Sequence, residues 1–137
     1  MGKTNKKKLL VVDAEPVVRA LVRRMLSKDY TVLEAQDGEE AVNMARSQKP
    51  DIILMDMMTP KMDGLTACYA IKTNQTTKEI RVVMLTSIGS DLNKKLSEDV
   101  WGADGYITKP FTHEALLEEI RRLVIPGSVA MTLNICL

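Results

Sequence analysis

The chain has 137 residues, enough for one compact domain and too short for two ordinary ones. Its 19 Lys and Arg against 18 Asp and Glu leave a net charge of +1, without the basic excess that marks a nucleic-acid-binding domain. No apolar run approaches the roughly 18 residues of a membrane helix, and Cys68 and Cys136 form neither a metal spacing nor a disulfide framework; a cytoplasmic setting with no membrane partner is expected.

Residues 1–7, which hold most of the run "KTNKKK" over 3–8, read as a solvated basic tail. No apolar stretch of signal-peptide length follows before Asp13 interrupts. The run over 9–13 predicts a first strand that ends on an acid. After Glu15–Pro16, helical spacing places Val17, Val18, Leu21, Val22, Met25 and Leu26 on one side, with Arg19, Arg23 and Arg24 elsewhere. Strands are predicted over 31–35, 52–56, 81–87 and 105–108, and weaker helices over 39–47, 64–74 and 91–101. A last helix opens at Thr112 as N-cap, with Glu114 and Glu118 near its positive end and Leu116, Leu117, Ile120, Leu123 and Val124 on one face. Pro126–Gly127 stops it, so the domain is expected over 8–125, with 126–137 a tail or linker.

Five strand–helix units in a row imply a parallel sheet with helices on both faces. Strands 1 and 3 are apolar throughout, as strands covered on both sides must be. Ligands of such sheets bind beyond the carboxyl ends of the strands, where strand order reverses. Asp13 ends strand 1, Asp56 ends strand 3, Thr86 ends strand 4 and Lys109 follows strand 5. Singly these are a helix cap, a turn acid, a strand end and a surface lysine. Brought to one rim, they are two acids, a hydroxyl and an amine.

Clustered carboxylates repel one another unless a cation compensates. Mg²⁺ is the natural partner, since it uses one or two carboxylates and keeps several waters. A carboxylate can also attack phosphorus and form an acyl phosphate, given a metal, a second cation and hydrogen-bond donors around the phosphoryl oxygens. Asp13 with metal, Lys109 and Thr86 supply that set around Asp56. No G-x-G-x-x-G follows strand 1, so a dinucleotide enzyme is not expected. An aspartyl phosphatase would need an acid where "DMM" puts Met58.

The pieces "LLVVDAE", "DIILMDMMTPKMDG", "VVMLTS" and "GADGYITKPF" together resemble the receiver domain of two-component response regulators, the chemotaxis-type fold, from Lys8 to Val124. The resemblance implies a flavodoxin-like, doubly wound α/β fold with a five-stranded parallel sheet of order 2-1-3-4-5 and five helices. It implies Asp56 as phosphoacceptor, taking its phosphoryl group from a sensor histidine kinase or a phosphotransfer protein. Asp13, Asp56 and the Met58 backbone carbonyl would hold Mg²⁺, Lys109 would bind the phosphoryl group, and Thr86 would hydrogen-bond it while Tyr106 swings inward. The Lys109–Pro110 peptide would be cis. The face of the fourth helix, fifth strand and fifth helix would address an output domain, a protein target or a second copy of the chain. Such a domain is not an enzyme in its own right but assists its own phosphorylation and dephosphorylation.

At one position the chain departs from that pattern. The family usually carries two successive acids after strand 1, and here the second is Ala14. Weak Mg²⁺ binding is expected, with Glu15 or an extra water filling the gap. The alternative is a degenerate receiver that binds partners without phosphorylation. Retention of Asp56, Lys109 and Thr86 favours the switch. Trp101, just before "GAD", reads either as core or as an aromatic anchor on the output face.

Overall fold

Five apolar runs form one parallel sheet from β1 (Lys7–Val12), β2 (Tyr30–Ala35), β3 (Ile52–Asp56), β4 (Arg81–Ser87) and β5 (Gly105–Lys109), in the order β2-β1-β3-β4-β5. The computed structural model describes residues 6–87 and 102–124. Four helices lie among them: α1 (Pro16–Leu26), α2 (Gly38–Gln48), α3 (Gly64–Lys72) and α4 (His113–Leu123), the last being the fifth expected helix. The helix expected over 91–101, with Trp101, and the tail over 126–137 fall outside the described residues.

The strands alternate between two cores, as a period of two requires. Leu10, Val12, Ile53, Met55, Val82 and Met84 face α2 and α3, where Ala41, Ala45, Cys68 and Ile71 are buried with them. Leu9, Val11, Ile52, Leu54, Val83 and Leu85 face the other side with Val22 and Leu26 of α1 and Leu116 and Ile120 of α4. This is the doubly wound α/β arrangement expected from the sequence. Cys68 sits in the first core, and burial pushes its thiol up to about 12, so it is a small apolar filler rather than a reactive group.

α1 differs from expectation. Val22 and Leu26 are fully buried, but Val17 and Leu21 are exposed. Winding at roughly 100° per residue puts Val22 and Leu26 at the centre of the buried stripe. Val17 and Leu21 then lie beyond one edge of it, and Arg19 and Arg23 flank the other. The apolar set is broader than the contact, and the two arginines reach β2, Arg19 largely buried and Arg23 about half exposed.

Three of the four helices are capped by side chains, Thr112 as expected from the sequence, while α1 opens at Glu15 without a side-chain cap. Asp37 accepts from the Glu40 N–H, and Glu40 accepts in return from the Gln36 N–H, a reciprocal cap at α2. Asp63 caps α3 through the Thr66 N–H, and Thr112 caps α4 through the Ala115 N–H. Among the described residues no helix is long and apolar enough to cross a membrane.

Asp104 ties three elements together just before β5. It accepts from the Val82 N–H at 2.8 Å and from Lys72 Nζ at 2.9 Å, while Lys72 also donates to the Ile80 carbonyl at 2.8 Å. Asp104→Ala would leave a strand N–H and a mostly buried ammonium short of acceptors. It is expected to cost about 2 kcal/mol, read as a lower urea midpoint at unchanged m-value.

Candidate functional site

Strand order reverses at β1, because β2 lies on one side of it and β3, β4 and β5 on the other. The rim beyond the carboxyl ends of β1 and β3 is therefore where a ligand is expected. Three charged groups meet there. Lys109 Nζ, at the end of β5, donates to Asp13 Oδ2 at 2.8 Å and to Asp56 Oδ1 at 3.2 Å. Three residues far apart in the chain meet at one rim: register puts Asp13, one past the Val12–Met55 pair, level with Asp56, and Lys109 lies two residues beyond that level on β5, from where its long side chain reaches back.

Asp13 is 1% exposed and is held by backbone as well as side chain. Its N–H continues the sheet ladder to the Ala35 carbonyl at 3.1 Å, and its Oδ1 accepts from the Glu15 N–H at 2.9 Å. It thus does the turn-forming work of a local acid and still gives its other oxygen to Lys109. Asp56, the last residue of β3, leads into a loop closed by the Gly64 N–H on the Met57 carbonyl at 2.8 Å. Inside that loop Thr59 Oγ1 donates to the Met62 carbonyl at 2.8 Å, and Lys61 takes a left-handed backbone with φ 67°.

Burial pushes the Asp56 carboxyl above its ordinary range; the Lys109 charge opposes this and the nearby Asp13 charge adds to it. The Lys109 hydrogen bond and the Met58 N–H pull it part of the way back. For Lys109 burial works downward, yet the hydrogen bond to Asp13 and the charges of both acids leave its amine above the usual lysine value. The lysine gains from the site and the Asp56 carboxylate loses by it. A carboxyl whose folded pKa is raised opposes folding once ionised, so stability falls as pH rises from the ordinary carboxylate value through the raised one. In metal-free buffer at pH 7, Asp56→Asn is expected to be the more stable chain. The gain is roughly 2 °C in Tm after allowance for screening at the half-open rim, and it shrinks on acidification.

The other expected site residues take different places. Thr86 is buried at the end of β4, one residue past the Asp56–Leu85 pair, and among the described residues no hydrogen bond joins it to the charged trio. Tyr106 is half-buried and packs against the core on the α2–α3 side. Ala14 is exposed, and Glu15 is exposed at the N-cap of α1. The Met58 side chain is 79% exposed beside Asp56. The Lys109–Pro110 peptide is cis. No group of three or more acids, histidines or cysteines that could hold a metal ion occurs among the described residues.

Two contributors carry no signal in the sequence pattern. Arg19 Nη1 donates to the Asp13 carbonyl at 2.6 Å, and its Nε donates to Glu34 Oε1 at 2.9 Å. Neither belongs to a motif, and helical spacing alone assigns Arg19 to the polar side.

The chain matches the family model "Response regulator receiver domain" over residues 9–121. It is 37% identical over 118 residues to the DNA-binding dual master transcriptional regulator RpaA of Synechocystis, which covers 85% of this chain and 48% of that protein. It is 35% identical over 126 residues to the alkaline phosphatase synthesis transcriptional regulatory protein PhoP of Bacillus subtilis, covering 92% of this chain and 51% of that one. The chain thus spans about half the length of these curated relatives. Among solved structures, the chemotaxis protein CheY4 of Vibrio cholerae superposes with a TM-score of 0.81 at 32% identity, covering 88% of this chain and 100% of that one. The receiver domain of the sensor histidine kinase PA1611 of Pseudomonas aeruginosa, solved with a magnesium ion coordinated in its active site cleft, gives 0.78 at 29% identity, covering 87% and 98%. By its strand order, the rim its strands build and these likenesses, the chain belongs to the response regulator receiver domain family.

Proposed function

We propose that the chain is the phosphoryl-accepting switch of a two-component signalling pathway, with Asp56 as the acceptor. The observation that carries this reading is the placement of Lys109 Nζ between the Asp13 and Asp56 carboxylates. In the proposed reaction an Asp56 carboxylate oxygen bonds to phosphorus as the phosphorus–nitrogen bond of a donor phosphohistidine breaks, leaving neutral imidazole after proton uptake. Lys109 is already within reach of the acceptor and gives its charge to the phosphoryl oxygens. Thr86, at the neighbouring strand end, is the proposed hydroxyl donor, and Tyr106 the aromatic group that follows its movement. A sensor histidine kinase or phosphotransfer protein is the proposed donor. An output domain or protein target is the proposed reader, in keeping with the longer transcriptional regulators that the chain resembles over half their length.

The donor set fits Mg²⁺ sparingly. Asp13 Oδ1 and Oδ2 each already accept one hydrogen bond, and a carboxylate oxygen has room for more than one partner. Asp13, Asp56 and the Met58 carbonyl would hold the ion, within its habit of one or two carboxylates and several waters. When bound, the ion would neutralise phosphoryl charge. The magnesium ion in the PA1611 cleft supports the assignment by likeness. Ala14 offers only a methyl group, and Glu15 points its exposed side chain from a helix cap, so millimolar or weaker affinity is expected.

The test is a magnesium titration of Asp56 labelling by a small acyl phosphate. Wild type should need millimolar metal. Ala14→Asp should lower that requirement by about tenfold or more, since losing even an outer-shell partner typically costs about 10–100-fold in metal affinity. Wild-type saturation at micromolar metal would refute the weak-site account, and no labelling at any metal concentration would favour the phosphorylation-independent module.

A further inference from the structure

We propose that Arg19 is a positioning residue for phosphoryl acceptance, aimed by Glu34 and acting through the Asp13 backbone. The inference rests on the function proposed above and deepens it. Arg19 Nη1 meets the Asp13 carbonyl at 2.6 Å, the shortest of the contacts that hold this acid, and its Nε meets Glu34 Oε1 at 2.9 Å. The arginine side chain is only 14% exposed. Glu34 is itself fixed from a second side by Arg23 Nε at 2.8 Å, and Arg23 Nη2 donates to the Val32 carbonyl at 2.9 Å. The Arg23 hydrogen bond holds the Glu34 carboxyl below its ordinary range, against burial, with Arg19 adding to the effect.

The geometry fixes a direction of action. β1 ends at Val12, so Asp13 has only its N–H in the sheet ladder, on the Ala35 carbonyl. Its carbonyl has left the sheet and is available to turn. Rotation of that peptide would displace the Glu15 N–H that holds Oδ1 and free the carboxylate to turn Oδ2 away from Lys109. A planar guanidinium anchored on Glu34 holds the carbonyl at a fixed distance from β2, and so fixes where the carboxylate points. Among the described residues no hydrogen bond or ion pair joins Arg19 to Asp56 or Lys109. Its effect passes through Asp13, which is why it is a positioning group and not a catalytic one.

The experiment pairs calorimetric Mg²⁺ titration of the unphosphorylated chain with acyl-phosphate labelling at varied Mg²⁺. It uses wild type, Arg19→Met, Arg19→Lys, Glu34→Gln and Asp56→Asn. Arg19→Met keeps the length of the side chain, and Arg23 still ties α1 to Glu34, so the fold is expected to persist. The expected result is a rise of about tenfold in the Mg²⁺ dissociation constant and in the half-saturating Mg²⁺ for labelling. The rate at saturating metal changes far less, Arg19→Lys restores most of the affinity, and Glu34→Gln shifts it in the same direction by a smaller factor. Wild-type metal affinity in Arg19→Met together with a lower Tm would overturn the inference and leave Arg19 a structural tie. A wild-type chain that binds no Mg²⁺ would overturn it as well. If Asp56→Asn is labelled as fast as wild type, the proposed acceptor fails, while the calorimetric arm still decides the role of Arg19.

Discussion

Lys109→Ala is expected to slow labelling of Asp56 by a small acyl phosphate about 10²–10³-fold, the usual loss when one preorganised donor to developing oxyanion charge is removed. The lysine lies 2.8 Å from Asp13 and 3.2 Å from Asp56, so its removal leaves two carboxylates facing each other across a half-buried rim. Asp56 is already pushed up by burial and by Asp13, and without the amine only the Met58 N–H still favours its ionised form. The variant should therefore also need higher pH for labelling. Lys109→Arg keeps the charge but replaces a compact ammonium with a larger planar fork, and should recover only part of the rate. The stability effect has a definite sign. Because the folded amine lies above the ordinary lysine value, its contribution is present at neutral pH and is lost as pH rises through the folded pKa. Wild type and Lys109→Ala should accordingly converge in Tm at strongly alkaline pH. Equal labelling rates for the two chains at saturating Mg²⁺ would remove the lysine from the proposed chemistry.

Gly64→Ala should be the most damaging single-methyl change near the site. A β-carbon at Gly64 would run into the backbone carbonyl of Asp56 and crowd the side chain of Met55, both at the end of β3. The collision is with main chain, which cannot rotate away as a side-chain tip would. The same glycine donates its N–H to the Met57 carbonyl at 2.8 Å, so the helix start and the loop after Asp56 must separate together. Overpacking of this kind is expected to cost about 3 kcal/mol and to displace Asp56 from Lys109. Urea denaturation should show the lower midpoint, and labelling should fall along with it at a denaturant concentration of zero. Thr66→Ala, at an exposed position two residues further along α3, serves as the control and should stay within about 0.5 kcal/mol of wild type.

The central strands are legible in the sequence because their faces are uniform. Residues 52–56 and 81–87 are apolar runs bounded by turn residues, and β3 and β4 occupy the same spans. β1 begins earlier than its apolar run, at Lys7, because pairing with Tyr30 of β2 holds backbone whatever the side chains do. β5 likewise extends to Lys109 through its pairing with Ser87. α3 stops at Lys72, with Thr73 turning its hydroxyl back to the Tyr69 carbonyl, two residues short of the expected end. These are differences of ladder and cap, which period alone does not report.

The site divides in the same way. Asp13, Asp56 and Lys109 are legible because charge at the end of an apolar strand is costly without a partner, and the fold type brings those ends together. Arg19 and Glu34 are not legible. Their meeting depends on β2 pairing beside β1, with Val11 opposite Glu34, and on the side of α1 that turns towards it. A broad apolar set on α1 hides that choice, since Val17 and Leu21 count as core by spacing yet stand exposed. Thr86 and Tyr106 lie within β4 and β5, and the movements proposed for them would belong to a second state of the molecule.

The most direct test of the central claim is intact-mass measurement after treatment with a small acyl phosphate, with and without Mg²⁺, on wild type and Asp56→Asn. The account predicts addition of one phosphoryl group to wild type only when Mg²⁺ is present at high concentration, and none to Asp56→Asn under any condition. Wild type that gains no mass at any metal concentration, or an Asp56→Asn chain that gains the same mass, would contradict it.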